Sequence, residues 1–171
     1  MKAVVQRVIN ASVSVNNAVK GSIGQGLLVY LGVGRDDNTT DADWLAEKII
    51  HLRIFDDSQG TMNLSLMDLV NPKNEPVNEK INMVNHHDKK VNHLSIGVLI
   101  ISQFTLLGDA RKGRRPSWDK AASPDIAREL YQYFISKVSE SVHCESGEFQ
   151  AIMQVTYTNE GPVTILLDTK L

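Results

Sequence analysis

Met153-Gln154-Val155-Thr156-Tyr157-Thr158-Asn159-Glu160-Gly161-Pro162-Val163-Thr164-Ile165-Leu166-Leu167 sets two strand-forming runs on either side of a Gly-Pro pair. The runs, Met153 to Tyr157 and Val163 to Leu167, are rich in β-branched and aromatic residues and read as a final hairpin. Gly-Pro is a poor choice for its turn. Tight hairpins need positive φ at their central residues, which Asn-Gly or Asp-Gly supplies. Gly161 instead admits close backbone approach, while Pro162 fixes φ and removes an N–H donor. An X-Pro bond is also the peptide bond that adopts cis, in roughly 5–6% of cases. Alone, the pair reads as an ordinary loop with a trans proline. The rest of the chain decides its meaning.

At the other end, residues 2–10 and 12–16 read as two strands, with a turn at Asn16-Asn17 and a further strand over 18–23. Arg7 interrupts the first of them, as a solvent-facing charge or a donor aimed at a backbone loop. Leu27 to Val33 is apolar enough for a strand buried on both faces, and Ile96 to Ile101 is a second such run. Ser102-Gln103-Phe104-Thr105-Leu106 follows where that buried strand ends, a common place for a site. The plainer reading is that Ser102 and Thr105 satisfy local backbone groups.

The spacing of Ala42, Leu45, Ala46, Ile49 and Ile50 predicts a helix N-capped by Thr40, with Asp43 in an imperfect capping box. Trp44 would pack beside that stripe. Ser123-Pro124 opens a second helix as N-cap and first residue, with Ile126, Ala127, Leu130, Tyr133, Phe134 and Val138 buried. Together these elements predict a mixed α/β fold over 1–171 as a single domain. Layered β-sheets form a barrel-like core, and two main amphipathic helices pack on the outside.

Composition narrows the function. The 171 residues are 42% hydrophobic and 22% charged, as in a soluble globular domain. A net charge of −2 gives no global attraction to nucleic acid, so RNA binding would need a local patch. Arg111-Lys112-Gly113-Arg114-Arg115 is the densest one, readable as a solvated face or as phosphate contacts. Trp118, three residues on, reads as packing or as a stacking platform. Cys144, the single cysteine, rules out an intrachain disulfide and a cysteine-based zinc cluster. No apolar run approaches the ~20 residues of a membrane span, and no signal-peptide pattern precedes the first strand. A soluble, cytoplasmic protein is expected.

Residues 70–95 hold six asparagines and four lysines and read as a surface excursion. His86, His87 and His93 within it lack acidic or cysteine partners at metal-ligand spacing, and nothing calls for a metal or cofactor. There is no Gly-x-Ser-x-Gly elbow, Walker loop or His-Glu-x-x-His. Catalysis, if present, is expected to rest on pocket shape, backbone donors and Thr105, or on a group brought by the substrate.

Ser102-Gln103-Phe104-Thr105 together with Asn159-x-Gly161-Pro162-Val163-Thr164 resembles the two signature motifs of the D-aminoacyl-tRNA deacylases, also called D-tyrosyl-tRNA deacylases. Met1 to Val8, Gly26 to Val29, Leu52 to Phe55, Met62 to Leu64 and Arg111 to Ser117 extend the match. The resemblance implies a homodimeric hydrolase that cleaves the ester between a D-amino acid, or glycine mischarged on tRNA-Ala, and the terminal adenosine of tRNA. That is a proofreading step of translation. It implies a cis Gly161-Pro162 bond inserted into the partner's pocket, opposite Ser102-Gln103-Phe104-Thr105, as a filter against L-amino acids. Thr105 matches a threonine proposed as nucleophile. Alternatively the substrate's ribose 2′-hydroxyl assists, with Phe104 and Thr105 backbone groups holding the carbonyl; without a visible base for Thr105, this second route is favoured.

By the same resemblance Arg7 braces the Gly-Pro loop with Met153 beside it, Val163 and Thr164 complete the motif, and Lys112, Arg114 and Arg115 contact tRNA. Two features depart from the family pattern. Residues 70–95 look like an insertion, and Gln150 stands where a small residue is usual. A non-catalytic nucleic-acid-binding module and a deacylase with a trans Gly-Pro bond are the competing readings.

Overall fold

In a computed structural model, residues 1–72 and 95–170 are described. Their elements are β1 (Lys2–Val15), β2 (Ala18–Ile23), β3 (Gly26–Gly32), α1 (Thr39–Ile50), β4 (Phe55–Asp56), β5 (Met62–Leu64), α2 (Leu66–Val70), β6 (Gly97–Ser102), α3 (Pro124–Ser139), β7 (Cys144–Ser146) and β8 (Gln154–Asp168). Most of the 70–95 segment, with His86, His87 and His93, lies outside the described residues.

The two strands expected over 2–10 and 12–16 are one strand of 14 residues. The final hairpin is likewise a single strand of 15. Each stays continuous because the other runs beside it, from Ser14↔Gln154 to Lys2↔Asp168. Along the opposite edge of β1, β3 pairs with the first half and β2 with the second. Asn16 and Asn17, both at positive φ, make the two-residue turn into β2. The register of β1 against β8 shifts between Gln6 and Val8 and again between Val8 and Asn10. Such irregularities change which face alternate side chains take. Ala3 and Val5 consequently pack under the helices, whereas Val8, Ala11 and Val13 belong to a second cluster.

β3 pairs parallel with β6, and β6 parallel with β7. The sheet then curls until β2 meets β7, where a Cβ on Gly21 would lie 3.0 Å from the Ser146 carbonyl oxygen. The result is a nearly closed, barrel-like sheet. Leu28, Leu99 and Ile101 fill one side of it, while Val29, Leu31, Val98 and Ile100 face the helix-covered side. Both continuous apolar runs are thus buried on both faces, as their composition predicts.

α1 buries the predicted stripe of Ala42, Leu45, Ala46, Ile49 and Ile50. Its N-cap is Asn38, not Thr40: Asn38 accepts from Asp41 N, and the Asp41 carboxylate accepts from Asn38 N. α3 starts at Pro124 after Ser123, and buries Leu130, Tyr131, Phe134 and Val138. Ile126 is exposed, and Tyr133 points across to Asp43 on α1, its hydroxyl donating at 2.8 Å. Tyr131 takes the inward position and donates to the Ile100 carbonyl at 2.9 Å. The five-residue α2, capped by Ser65 and Asp68, is too short for periodicity to reveal.

Candidate active site

β6 leaves the buried sheet at Ser102 and passes into a short 3-10 turn over Phe104–Leu107. Gln103 N donates to Leu31 O at 2.7 Å, which ties the segment to the end of β3. Gly32 makes this approach possible, since a Cβ there would lie 2.9 Å from the Gln103 carbonyl oxygen. Beside the segment opens a cavity of about 650 Å³. Ser102, Gln103 and Phe104 line it, facing walls that include Trp118, Tyr131 and Phe149. Met153 and Gln150 also contribute to the lining. Phe104 is 57% exposed and meets Trp118 edge to face, with ring centroids 5.1 Å apart. Burial raises the Tyr131 phenol well above its ordinary range, so it stays a neutral donor.

Thr105 is exposed, and its hydroxyl oxygen accepts a hydrogen bond from Gln103 Nε2. Among the described residues no carboxylate or imidazole is hydrogen-bonded to it. An amide N–H takes no proton, so this contact orients the hydroxyl without activating it.

Gly161 and Pro162 lie elsewhere. Gln6 pairs with Thr164 and Val8 with Asn159, so Glu160, Gly161, Pro162 and Val163 stand opposite the single residue Arg7. The Gly-Pro pair is therefore an outward bulge within a strand, and its peptide bond is cis. Gly161 holds φ at 114°, a conformation that residues with a Cβ rarely adopt. Asn159 Nδ2 spans the bulge, donating to Arg7 O at 3.0 Å and to Val163 O at 3.1 Å.

The buried Arg7 side chain braces the bulge from beneath. Its Nη1 donates to Ile54 O at 2.7 Å and to Asp56 Oδ1 at 3.2 Å, and its Nε lies 3.4 Å from Glu160 Oε2. The donor alternative for Arg7 thus holds, against the solvent-facing one. Gly161 and Pro162 are exposed, Val163 is buried, and the exposed Thr164 accepts from Gln6 Nε2 at 3.2 Å. Neither Gly161 nor Pro162 lines the cavity, so one chain does not bring the two motifs together. Met153, expected near Arg7, is placed on the cavity wall.

The basic run forms a loop closed by paired bonds between Asp109 and Ser117, N to O at 2.9 Å in both directions. Arg111 folds back onto Asp109, whose carboxyl it holds far below the usual range. Lys112, Arg114 and Arg115 stay exposed around the rim of this loop. The loop delivers Trp118 directly into the cavity wall, so the cationic surface and the cavity are neighbours. Sequence reasoning missed Phe149 and Tyr131 as wall residues: Phe149 lies in a turn without periodicity, and Tyr133 was given the inward position that Tyr131 takes.

These features define an α/β domain with a largely apolar cleft at the C-terminal end of a parallel strand, where ligand sites of such sheets form. Sequence comparison sharpens the class. Residues 4–73 and 77–168 match the D-Tyr-tRNA(Tyr) deacylase family. A D-aminoacyl-tRNA deacylase of Kosmotoga olearia is 49% identical over 99% of this chain and 98% of its own. One from Fervidobacterium nodosum is 50% identical with the same coverage. Among solved structures, a c-Myc DNA unwinding element binding protein superposes with a TM-score of 0.79 at 32% identity, covering 98% of both chains. The chain belongs to the D-aminoacyl-tRNA deacylase family.

Proposed function

We propose that this protein hydrolyses the ester linking a D-amino acid to the terminal adenosine of tRNA, releasing the free amino acid and tRNA. The observation that carries this is the course of Ser102-Gln103-Phe104 along the cavity, in a chain similar to D-aminoacyl-tRNA deacylases over nearly its whole length. Backbone groups at Phe104 and Thr105 hold the scissile carbonyl and stabilise its oxyanion as it forms. The ribose 2′-hydroxyl of the substrate assists; the unactivated state of Thr105 supports this route over nucleophilic attack by the threonine.

Selectivity comes from a second copy of the chain. The Gly161-Pro162 bulge is exposed, braced and outside the cavity of its own chain, which suits insertion into the cavity of a partner. Among the described residues β8 pairs only with β1, and Leu166 on it is 76% exposed, which suits a homodimer built along this edge. Backbone carbonyls presented by the bulge bind the substrate amino group and leave no room for an L-side chain. D-side chains point outward, and glycine on tRNA-Ala passes the same filter. Lys112, Arg114 and Arg115 contact the tRNA backbone, next to the cavity mouth. The work is proofreading in the cytoplasm, where charged tRNA is used. Among the described residues no helix is long and apolar enough to cross a membrane.

The test is a paired assay of D-tyrosyl-tRNA and L-tyrosyl-tRNA with purified protein. Rapid loss of the D-ester alone is expected. Cleavage of both would sink the filter. If neither is cleaved while tRNA still binds, a nucleic-acid-binding module using the exposed basic loop replaces the enzyme.

A further inference from the structure

Among the described residues three other than glycine are held at positive φ, and Gln150, at 66°, is the one of them that lines the cavity. Its side chain is not idle. Gln150 Oε1 accepts from Arg128 Nη2 at 2.7 Å, and the Arg128 guanidinium lies 5.0 Å from the centroid of the Phe149 ring, over its face. Two neutral contacts therefore fix the direction of an exposed cation on the cavity rim. Among the described residues no carboxylate pairs with Arg128, as none pairs with Arg114 or Arg115, whereas Arg7 has Asp56 and Glu160 and Arg111 has Asp109. Gln150 and Phe149 set Arg128 apart, because they hold its guanidinium in place. Its charge is preorganised and uncompensated.

An uncompensated guanidinium at the mouth of an aromatic-walled cleft suits an oxyanion outside the cleft better than a group within it. A tRNA end that places its terminal adenosine in the cavity carries one phosphodiester immediately outside, linking that adenosine to the preceding nucleotide. We propose that Arg128 binds this phosphodiester and that Gln150 acts as a positioning residue, holding the guanidinium towards it. The inference rests on the deacylase reading of the cavity. Gln150 is thus read through Arg128, as part of a phosphate site on the rim.

Two small substrates isolate the phosphate: the D-tyrosyl ester of adenosine, which has none, and that of cytidylyl-adenosine, which has one. The wild-type protein is expected to prefer the dinucleotide ester by about fivefold to tenfold in kcat/KM, expressed mainly in KM. Arg128→Gln, a change at an exposed position, should abolish that preference and leave cleavage of D-tyrosyl-adenosine unchanged. It should also flatten the salt dependence of KM for D-tyrosyl-tRNA by a slope of about one. Gln150→Gly should lose part of the preference, because the cation then swings free. The proposal is overturned if Arg128→Gln keeps the preference, or if it weakens both small substrates equally, which would mark a merely structural contact to Phe149. Wild-type protein that cleaves none of the D-esters would overturn the deacylase reading itself, and this inference with it.

Discussion

The Ser102–Thr105 segment and the Asn159–Thr164 bulge are built in opposite ways. The first borders a cavity and is fastened by its backbone, through Gln103 N on Leu31 O and the close approach allowed by Gly32. The second stands out from a strand and is fastened by side chains, Asn159 across its neck and Arg7 beneath it. In the proposed two-copy site, one is a receptacle and the other a plug. A segment whose backbone groups must receive a ligand gains from having them fixed but uncovered. A segment that must enter another surface gains from being prominent and stiff. Within one chain the two are apart, so this difference makes sense when two copies complete each other's sites.

Stiffening the plug wrongly should break the pairing most. A Cβ on Gly161 would come within 2.9 Å of Val163 Cγ2 and 3.2 Å of Arg7 Nη2, at a φ of 114°. Gly161→Ala is expected to lower kcat/KM for D-tyrosyl-tRNA by about a hundredfold, the usual penalty for displacing a positioning element by about an ångström. Because the bulge is exposed, the chain should still fold, with a loss of about 1–3 kcal/mol measured by urea unfolding. Unchanged activity in this variant would remove the bulge from the site.

Next in size is the edge proposed to bring plug to receptacle. Leu166→Asp should shift the protein from dimer to monomer in sedimentation and reduce activity at low concentration by about thirtyfold, as loss of an interface anchor of about 2 kcal/mol does. A fully active monomer would end the two-copy account. Arg7→Met should weaken the brace, with a stability loss of about 2 kcal/mol. That is less than for a fully buried pair, because Asp56 and Glu160 are 52% and 37% exposed. Stability unaltered by Arg7→Met would mean that Asn159 alone holds the bulge.

The receptacle was more legible than the plug. β3 and β6 show themselves as unbroken apolar runs, so the end of β6 at Ser102 could be placed from residues alone. The plug was misread as a hairpin turn because Gly-Pro between two strand-like runs looks local. Its true partner is β1, about 150 residues earlier in the chain, as in Gln6↔Thr164. β1 was split for the same reason: the shifts near Val8 break the alternation on which a strand is recognised. Choosing Tyr133 over Tyr131 was an error of angle, since both lie near the buried stripe of α3 and the cavity behind it decides. Arg128 and Gln150 are 22 residues apart, and no periodicity connects them. The site motifs themselves were found by resemblance; spacing alone left Ser102 and Thr105 as ordinary strand-end residues.

The smallest effect is expected at the residue that looks most like a catalyst. Thr105→Val removes the hydroxyl and the bond from Gln103 Nε2 but keeps the shape and the backbone N–H. If the 2′-hydroxyl of the substrate assists, kcat should fall by no more than about fivefold, the scale of a lost orienting contact of about 1 kcal/mol. A nucleophile removed outright would lower kcat by about a thousandfold or more. The complementary arm uses tRNA ending in 2′-deoxyadenosine, charged on its 3′-hydroxyl, which the wild-type protein should then cleave very slowly. The opposite pattern, an inactive Thr105→Val with full activity on the deoxy substrate, would require a base for Thr105. Gln103 cannot serve, because its amide donates towards the oxygen from which a proton would have to leave.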